Sequence, residues 1–335
     1  MRGKGINYDT GTHPAVHATR VAFEPDVVRR EIGIIADDLH CTAVRITGDD
    51  PGRIALAGRC AAEAGLEVWV SPFLCDMTAD EMRPVLGECA RLAEGLRRGG
   101  AEVVLVTGAE LSVFARGFLP GGDLFTRVGL LTSGRADLRD LLGAVPARLN
   151  AFLGEVTADA RAVFGGRITY ASLAFERVDW TAFDIVGVDA YRAKRNRDTY
   201  RDELRSYRAH GLPVAVTEFG CCTYRGAADQ GGRGWMIVER GDDGPRRLDG
   251  DYVRDEAGQA GHLTDMLGVL DEEGVDSAFW FTFAGYPFPS AEGRKDLDLA
   301  SYGVLKVTGR PGGAYPGLNL EPKESFHALA KVYGG

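Results

Sequence analysis

Leu212-Pro213-Val214-Ala215-Val216-Thr217-Glu218-Phe219-Gly220 is the stretch on which the fold class turns. Pro213 suits the first position of a strand, where its missing N–H does little harm. Val214, Ala215 and Val216 form a short apolar run of the kind buried on both faces in a parallel sheet. Side chains alternate along a strand, so the pattern predicts Val214, Val216 and Glu218 on one face. A carboxylate at the tip of a buried strand is costly to desolvate unless something pairs with it. Gly220 then lets the chain turn.

Outward from this strand, seven further apolar segments recur: 4–8, 42–47, 66–74, 102–107, 167–173, 183–188 and 277–283. Most are separated by helical stretches. Pro25 opens one helix, Asp50 is placed to cap another, and Thr78-Ala79-Asp80-Glu81 has capping-box spacing. A long loop is expected after strand four, then a helical region from about 134 to 165. About ten residues separate strands five and six, too few for a full crossover helix. Eight strands alternating with helices point to a (β/α)8 TIM barrel, with an open doubly wound sheet as the alternative. No Gly-x-Gly-x-x-Gly sits at a strand–helix turn, which weakens a dinucleotide-binding version of that sheet. The expectation is a single domain over 1–335. The segment 225–250, rich in Gly, Arg and Asp, is expected to be a mobile lid after strand seven, with Trp235 as its anchor over a ligand.

Composition narrows the partners. The 335 residues carry a net charge of −9, which argues against a nucleic-acid binder. Arginine far exceeds lysine, and with abundant Ala and Gly this reads as a GC-rich bacterial genome. No apolar leader and no membrane-length run is visible, so the expectation is a cytoplasmic protein with no membrane partner. Oligomeric state is not legible. The six cysteines (41, 60, 75, 89, 221, 222) have no zinc spacing and are expected as free thiols. Cys221 and Cys222 are placed to line the same pocket as Glu218. No cofactor or metal is expected.

In such barrels the chemistry lies at the C-terminal ends of the strands. Those ends carry Asn7, Tyr8 and Asp9, Arg45, Trp69, Glu110, Asp189 and Tyr191, Glu218, and Trp280. Glu110 and Glu218 face each other across the expected mouth. The bland readings stand beside the functional ones. Arg45 makes a barrel-end salt bridge, Tyr191 and Trp280 are core aromatics, and Asp189 is a structural hydrogen-bonding residue. Asn7, Asp9 and Trp69 fit either role. His13 and His17 fall in the loop after strand one, within reach of the mouth.

Several segments resemble the glycoside hydrolases of clan A, a (β/α)8 superfamily. Val-Thr-Glu-Phe-Gly (216–220) is similar to the clan's nucleophile motif and Ala-Val-Arg-Ile (43–46) to its strand-two arginine motif. Phe-Asp-Ile-Val-Gly-Val-Asp-Ala-Tyr (183–191) resembles its strand-six motif, and Phe-Trp-Phe (279–281) the strand whose tryptophan floors the sugar site. The tail segments 301–306 and 322–329 also match, so the resemblance spans almost the whole chain. It implies a retaining hydrolase of β-linked glycosides, with Glu218 as nucleophile and Glu110 as acid/base. Arg45, Tyr191, Trp280, Asn7, Asp9, Trp69 and Asp189 would serve a carbohydrate substrate. One departure matters: the clan commonly has Asn before the acid/base glutamate, where this chain has Ala109. Gly-Ala-Glu-Leu (108–111) is nearest to a mannanase-like branch that also lacks that asparagine. A catalytically inactive sugar-binding or regulatory barrel is the alternative. In physical terms Arg45 would hold Glu218 as the carboxylate, while burial and the charge of Glu218 would keep Glu110 protonated.

Overall fold

The computed structural model describes residues 1–13, 18–241, 244–311 and 313–335. Eight parallel strands form the centre: β1 Gly3–Asp9, β2 Ala43–Gly48, β3 Glu67–Pro72, β4 Val103–Ala109, β5 Arg167–Ala171, β6 Val186–Asp189, β7 Val214–Phe219 and β8 Ser277–Trp280. Their order is β5-β4-β3-β2-β1-β8-β7-β6. The two ends meet through a parallel bridge, Ser172 to Val188. There the Ser172 N–H donates to Gly187 O at 3.0 Å and Asp189 N–H to Ser172 O at 2.9 Å. The sheet is thus a closed (β/α)8 barrel, as its alternating pattern required.

Around it run α1 Pro25–Gly33, α2 Pro51–Glu63, α3 Ala79–Arg98, α4 Val145–Arg161, α5 Tyr200–Tyr207, α6 Glu256–Glu272 and α7 Glu324–Gly334. Asp50 caps α2 by accepting from Gly52 N–H at 2.7 Å, and Thr78 with Glu81 forms the expected capping box on α3. Between β5 and β6 lie only 3-10 turns at Ala174–Glu176 and Trp180–Ala182. No described helix is long and apolar enough to cross a membrane.

Two regions differ from expectation. The stretch after β4 holds helices at Leu111–Phe114 and Leu124–Thr132, and the helical region beyond it breaks before α4. The signals are local. Asp123 caps its helix by accepting from Thr126 N–H at 2.9 Å, and Pro146 starts α4. The segment 225–250, outside its undescribed residues 242 and 243, is built rather than open. It contains 3-10 turns at Ala227–Asp229 and Gly231–Ile237 and a hairpin of Val238–Gly241 with Gly244–Leu248. Tyr302 pins it, with its hydroxyl donating to Gly231 O and accepting from Gly234 N–H. A Cβ on Gly234 would lie 2.9 Å from Cys222 Sγ, so glycine here marks close packing.

Two apolar layers follow the strand alternation. Trp69, Val104, Val106, Ile185, Ala215 and Phe279 fill the barrel, while Val44, Val68, Leu105, Val186, Val214 and Val216 face outward to the helices. Barrel closure depends on Gly187. A Cβ there would sit 2.3 Å from the carbonyl oxygen of Tyr170 on the neighbouring strand, and a ladder carbonyl cannot retreat. Gly187→Ala is expected to cost about 2–3 kcal/mol through forced separation of β5 and β6, measured by urea denaturation. An unchanged midpoint would show that this seam is slack.

Candidate active site

Glu218 reaches the mouth through an irregularity. Val214 and Val216 belong to the outer layer, so strict alternation would send Glu218 outward as well. The ladder slips instead. Val216 pairs with Val188, but Glu218 pairs with Asp189, and on the other side Phe219 pairs with Trp280. Thr217 is the extra residue. The expected shared face of Val214, Val216 and Glu218 is therefore corrected: the bulge turns Glu218 inward.

Arg45, fully buried, holds the result. Its Nη1 donates to Glu218 Oε1 at 2.8 Å, to Thr217 O at 3.1 Å and to Asn7 Oδ1 at 3.1 Å, and its Nε donates to Ser71 Oγ at 3.0 Å. Asn7 Nδ2 donates to Thr217 O at 3.0 Å. Tyr191 donates its hydroxyl to Glu218 Oε2 at 3.0 Å. Burial first, then the charge of Glu218, raise the Tyr191 pKa well above its ordinary value, so the donor proton stays in place.

Glu110 caps β4 in the left-handed region, with φ +45°. That backbone is costly for a residue with a Cβ and persists only where neighbours fix it. Glu110 N–H donates to Ala171 O at 2.9 Å, Leu111 N–H to the Tyr170 hydroxyl at 2.8 Å, and Ser112 N–H to Glu176 Oε1 at 3.0 Å. Tyr170 and Glu176, bonded to each other, hold the turn from behind; sequence reasoning singled out neither.

One oxygen each from Glu110, Asp189 and Glu218 lies within 4.8 Å of the other two. Burial, then the charges of Asp189 and Glu218, push the Glu110 carboxyl well above the usual carboxylate range. Asp189 is raised as well, by burial and then by Glu218, with Arg45 opposing. Asp189 Oδ1 accepts from Thr217 Oγ1 at 2.7 Å, and its Oδ2 is buried without a donor. A protonated Glu110 carboxyl, one of whose oxygens lies within 4.8 Å of an Asp189 oxygen, would be the nearest source of such a donor. The three carboxylates are also the one group among the described residues with the spacing to hold a cation. Both oxygens of Glu218 already accept from Arg45 and Tyr191, and the guanidinium competes for that charge.

The remaining expected contacts divide. Trp280 is fully buried in the outer layer, edge-on to Phe219 at 5.4 Å, with its indole N–H donating to Tyr302 O at 3.0 Å. It offers no face to the mouth. The side chain that does is Phe281, one residue on and in the parity of the inner Phe279. Trp69 is likewise a barrel-filling residue, 4.6 Å from Phe279 between ring centroids, and not a surface contact. Asn7 has no exposed surface and positions Arg45 instead. Asp9 is half-buried and lines a mouth cavity of about 230 Å3. Trp235, Phe281 and Tyr302 line it too. Cys75 does so, whereas Cys221 and Cys222 do not. All six thiols are free and buried. His13 is exposed and paired with Asp49; His17 lies outside the described residues.

No protein-family model and no curated protein matches the sequence. Solved structures do. A GH113 β-1,4-mannanase aligns over 100% of both chains with a TM-score of 0.62 at 14% identity. A broad-specificity GH5-4 endoglucanase from Clostridium longisporum aligns over 100% of this chain and 99% of that one, with a TM-score of 0.58 at 13% identity. Cel5A (EG2) from Hypocrea jecorina gives 0.53 at 10% identity over 98% and 97%.

Glu110 gives the site a pH-dependent cost. In the unfolded chain it ionises in the ordinary carboxylate range, while the folded chain keeps its proton to higher pH. Stability therefore falls as pH rises from the unfolded toward the folded pKa, by about 1.4 kcal/mol per unit. Glu110→Gln is expected to match the wild-type melting temperature near about pH 4 and exceed it at about pH 8, by at least roughly 3 °C. An equal difference at both pH values would mean the carboxyl is not held neutral. At the level that low identity supports, the chain shares the (β/α)8 barrel fold of these glycoside hydrolases.

Proposed function

We propose that the protein hydrolyses a β-linked glycoside with retention of configuration, through a glycosyl–Glu218 intermediate. The supporting observation is the carboxylate cluster. Retaining enzymes use two carboxyl groups about 5–5.5 Å apart, one ionised and one neutral. Glu110 and Glu218 lie within 4.8 Å, Glu218 carries the ion pair with Arg45, and Glu110 holds its proton above the usual range.

In the first step a Glu218 oxygen bonds to the anomeric carbon as the glycosidic bond breaks. The departing oxygen takes the Glu110 proton. In the second, the Glu110 carboxylate removes a proton from water. The water oxygen bonds to the anomeric carbon as its bond to Glu218 breaks, which frees the Glu218 carboxylate and leaves Glu110 protonated as at the start. Arg45 and Tyr191 hold the nucleophile in place, and Asp189 keeps the acid basic enough to bind its proton.

Ala109 favours a second reading, a barrel that binds sugar without cleaving it. It stands where clan A enzymes commonly place the asparagine that binds the sugar 2-hydroxyl, and it is buried. One screen separates the two. It starts from aryl β-glycosides and β-1,4-linked mannan and glucan fragments, with calorimetry for binding. Binding without turnover across a broad panel supports the second reading.

With a substrate found, Glu218→Ala is expected to lower kcat by roughly ten-thousand-fold or more. Glu110→Ala should retain bond cleavage only for acidic phenol leaving groups, and added azide should restore its turnover as a β-glycosyl azide. An unchanged rate in Glu218→Ala ends the mechanism. Excess chelator should leave the wild-type rate unaltered; its loss would assign the carboxylates to a metal.

The acid must be protonated, so kcat/KM falls as pH rises through the Glu110 pKa. Asp189→Asn removes a neighbouring negative charge and lowers that pKa. The alkaline limb of the profile is expected to move down by about one pH unit or more. A limb that stays fixed would mean another group sets it.

A further inference from the structure

The cavity beside the carboxylates has the wrong lining for a sugar. Six half-buried aromatic side chains face it: Phe73, Phe114, Phe125, Trp235, Phe281 and Phe288. Leu124, Val128 and Pro287 add aliphatic wall. Sugar hydroxyls need hydrogen-bond partners, and unmade bonds in such surroundings cost more than ring stacking returns. The polar lining includes Asp9, Thr12, Thr47 and Thr282 from the β1, β2 and β8 ends, and Arg240 from the hairpin after β7. The Arg240 guanidinium lies over the rings of Phe125 at 4.5 Å and Trp235 at 5.7 Å. The aromatic lining comes half from segments after β3 and β4 and half from segments after β7 and β8.

The cavity adjoins the chemistry without containing it. None of the three carboxylates lines it. Tyr302 connects the two: it lines the cavity, its ring lies 5.8 Å from that of Tyr191, and Tyr191 donates to Glu218. Phe281, 5.7 Å from Tyr302, continues the wall. An apolar cavity of about 150 Å3 already takes up benzene. At about 230 Å3 this one has room for a fused or substituted aromatic ring.

We infer that the substrate is a glycoside of an apolar aromatic alcohol, its aryl group seated among these side chains, and not an unsubstituted oligosaccharide. This rests on the hydrolytic reading above for the bond that is cut. The cavity itself stands apart from it, so the two are tested separately.

Binding is read first, with 2-naphthol as the probe, by quenching of tryptophan fluorescence and by calorimetry on the whole chain. Wild type and Glu218→Ala are expected to bind it alike, in the submillimolar range. Val128→Glu, which puts a charge on the half-exposed helix bordering the cavity, should weaken binding at least tenfold. Phe125→Ser on the same helix serves as a second variant should the first fail to fold, as judged by melting curves. A crystal of the wild-type protein soaked with 2-naphthol decides independently of any variant. Electron density between Phe73 and Trp235 supports the inference; density elsewhere, or no binding by wild type, overturns it.

Turnover is read second. For one sugar, kcat/KM for the 2-naphthyl β-glycoside should exceed that for the phenyl β-glycoside at least tenfold, and Val128→Glu should collapse the ratio toward one. Linked disaccharides turned over faster than either would overturn the inference while leaving retaining hydrolysis intact. Naphthol binding with no glycoside of any kind cleaved would do the reverse, sinking the hydrolytic reading and keeping the aryl site.

Discussion

The fully buried guanidinium of Arg45 is what the mouth of the barrel is built around. A single side chain from β2 reaches Asn7 on β1, Ser71 on β3, and both Thr217 and Glu218 on β7. An uncompensated buried cation is costly, and a buried pair repays its desolvation only with good geometry and further hydrogen bonds. Here the further bonds come from Asn7 on β1, Ser71 on β3 and Thr217 on β7 across the barrel, through Nη1 and Nε, while Nη2 is buried without a partner. They also fix the bulge, since the carbonyl exposed by the extra residue, Thr217 O, accepts from both Arg45 and Asn7. Removing the arginine would leave a carboxylate and a kinked strand without their reason.

The charge count around it has a consequence. One cation faces three buried or half-buried carboxyl groups within 4.8 Å of one another. They cannot all be ionised at neutral pH without large repulsion. Glu218 takes the arginine and the tyrosine hydroxyl, so the proton falls to the pair formed by Glu110 and Asp189. The titration of that pair belongs to both members. The left-handed backbone at Glu110 keeps its carboxyl close to Asp189, and Tyr170 with Glu176 keeps the backbone there.

Much of this was legible in the sequence, and the failures have physical causes. The strand–helix alternation, the caps at Asp50 and Thr78, the missing helix between β5 and β6, and the tips carrying Glu110 and Glu218 follow from local pattern. Alternation failed at Glu218 because one inserted residue reverses every face beyond it, and a bulge leaves no mark in composition. It failed differently at Phe279-Trp280-Phe281, where three aromatics in a row hide which face is inward. Asn7 and Trp69 sit near strand ends, where a contact and a packed residue look alike in sequence. Their burial depends on what crosses the barrel to meet them. The glycines of 225–250 were read as freedom, and in Gly234 they serve close approach to Cys222 and Tyr302.

The apolar cavity and the raised carboxyl groups belong to one electrostatic arrangement. Aromatic walls beside the mouth leave few polar groups to solvate a charge, and every interaction between the carboxylates grows as water is withdrawn. Tyr302 and Tyr191 stand between cavity and cluster, and they carry the low-dielectric boundary up to Glu218 itself. A ligand filling the cavity would keep water from this boundary. Burial already favours the neutral form of Glu110, and withdrawing water deepens that preference, while Glu218 stays paired with Arg45 at 2.8 Å. On the hydrolytic reading proposed above, a filled cavity would favour the protonated Glu110 that a general acid needs.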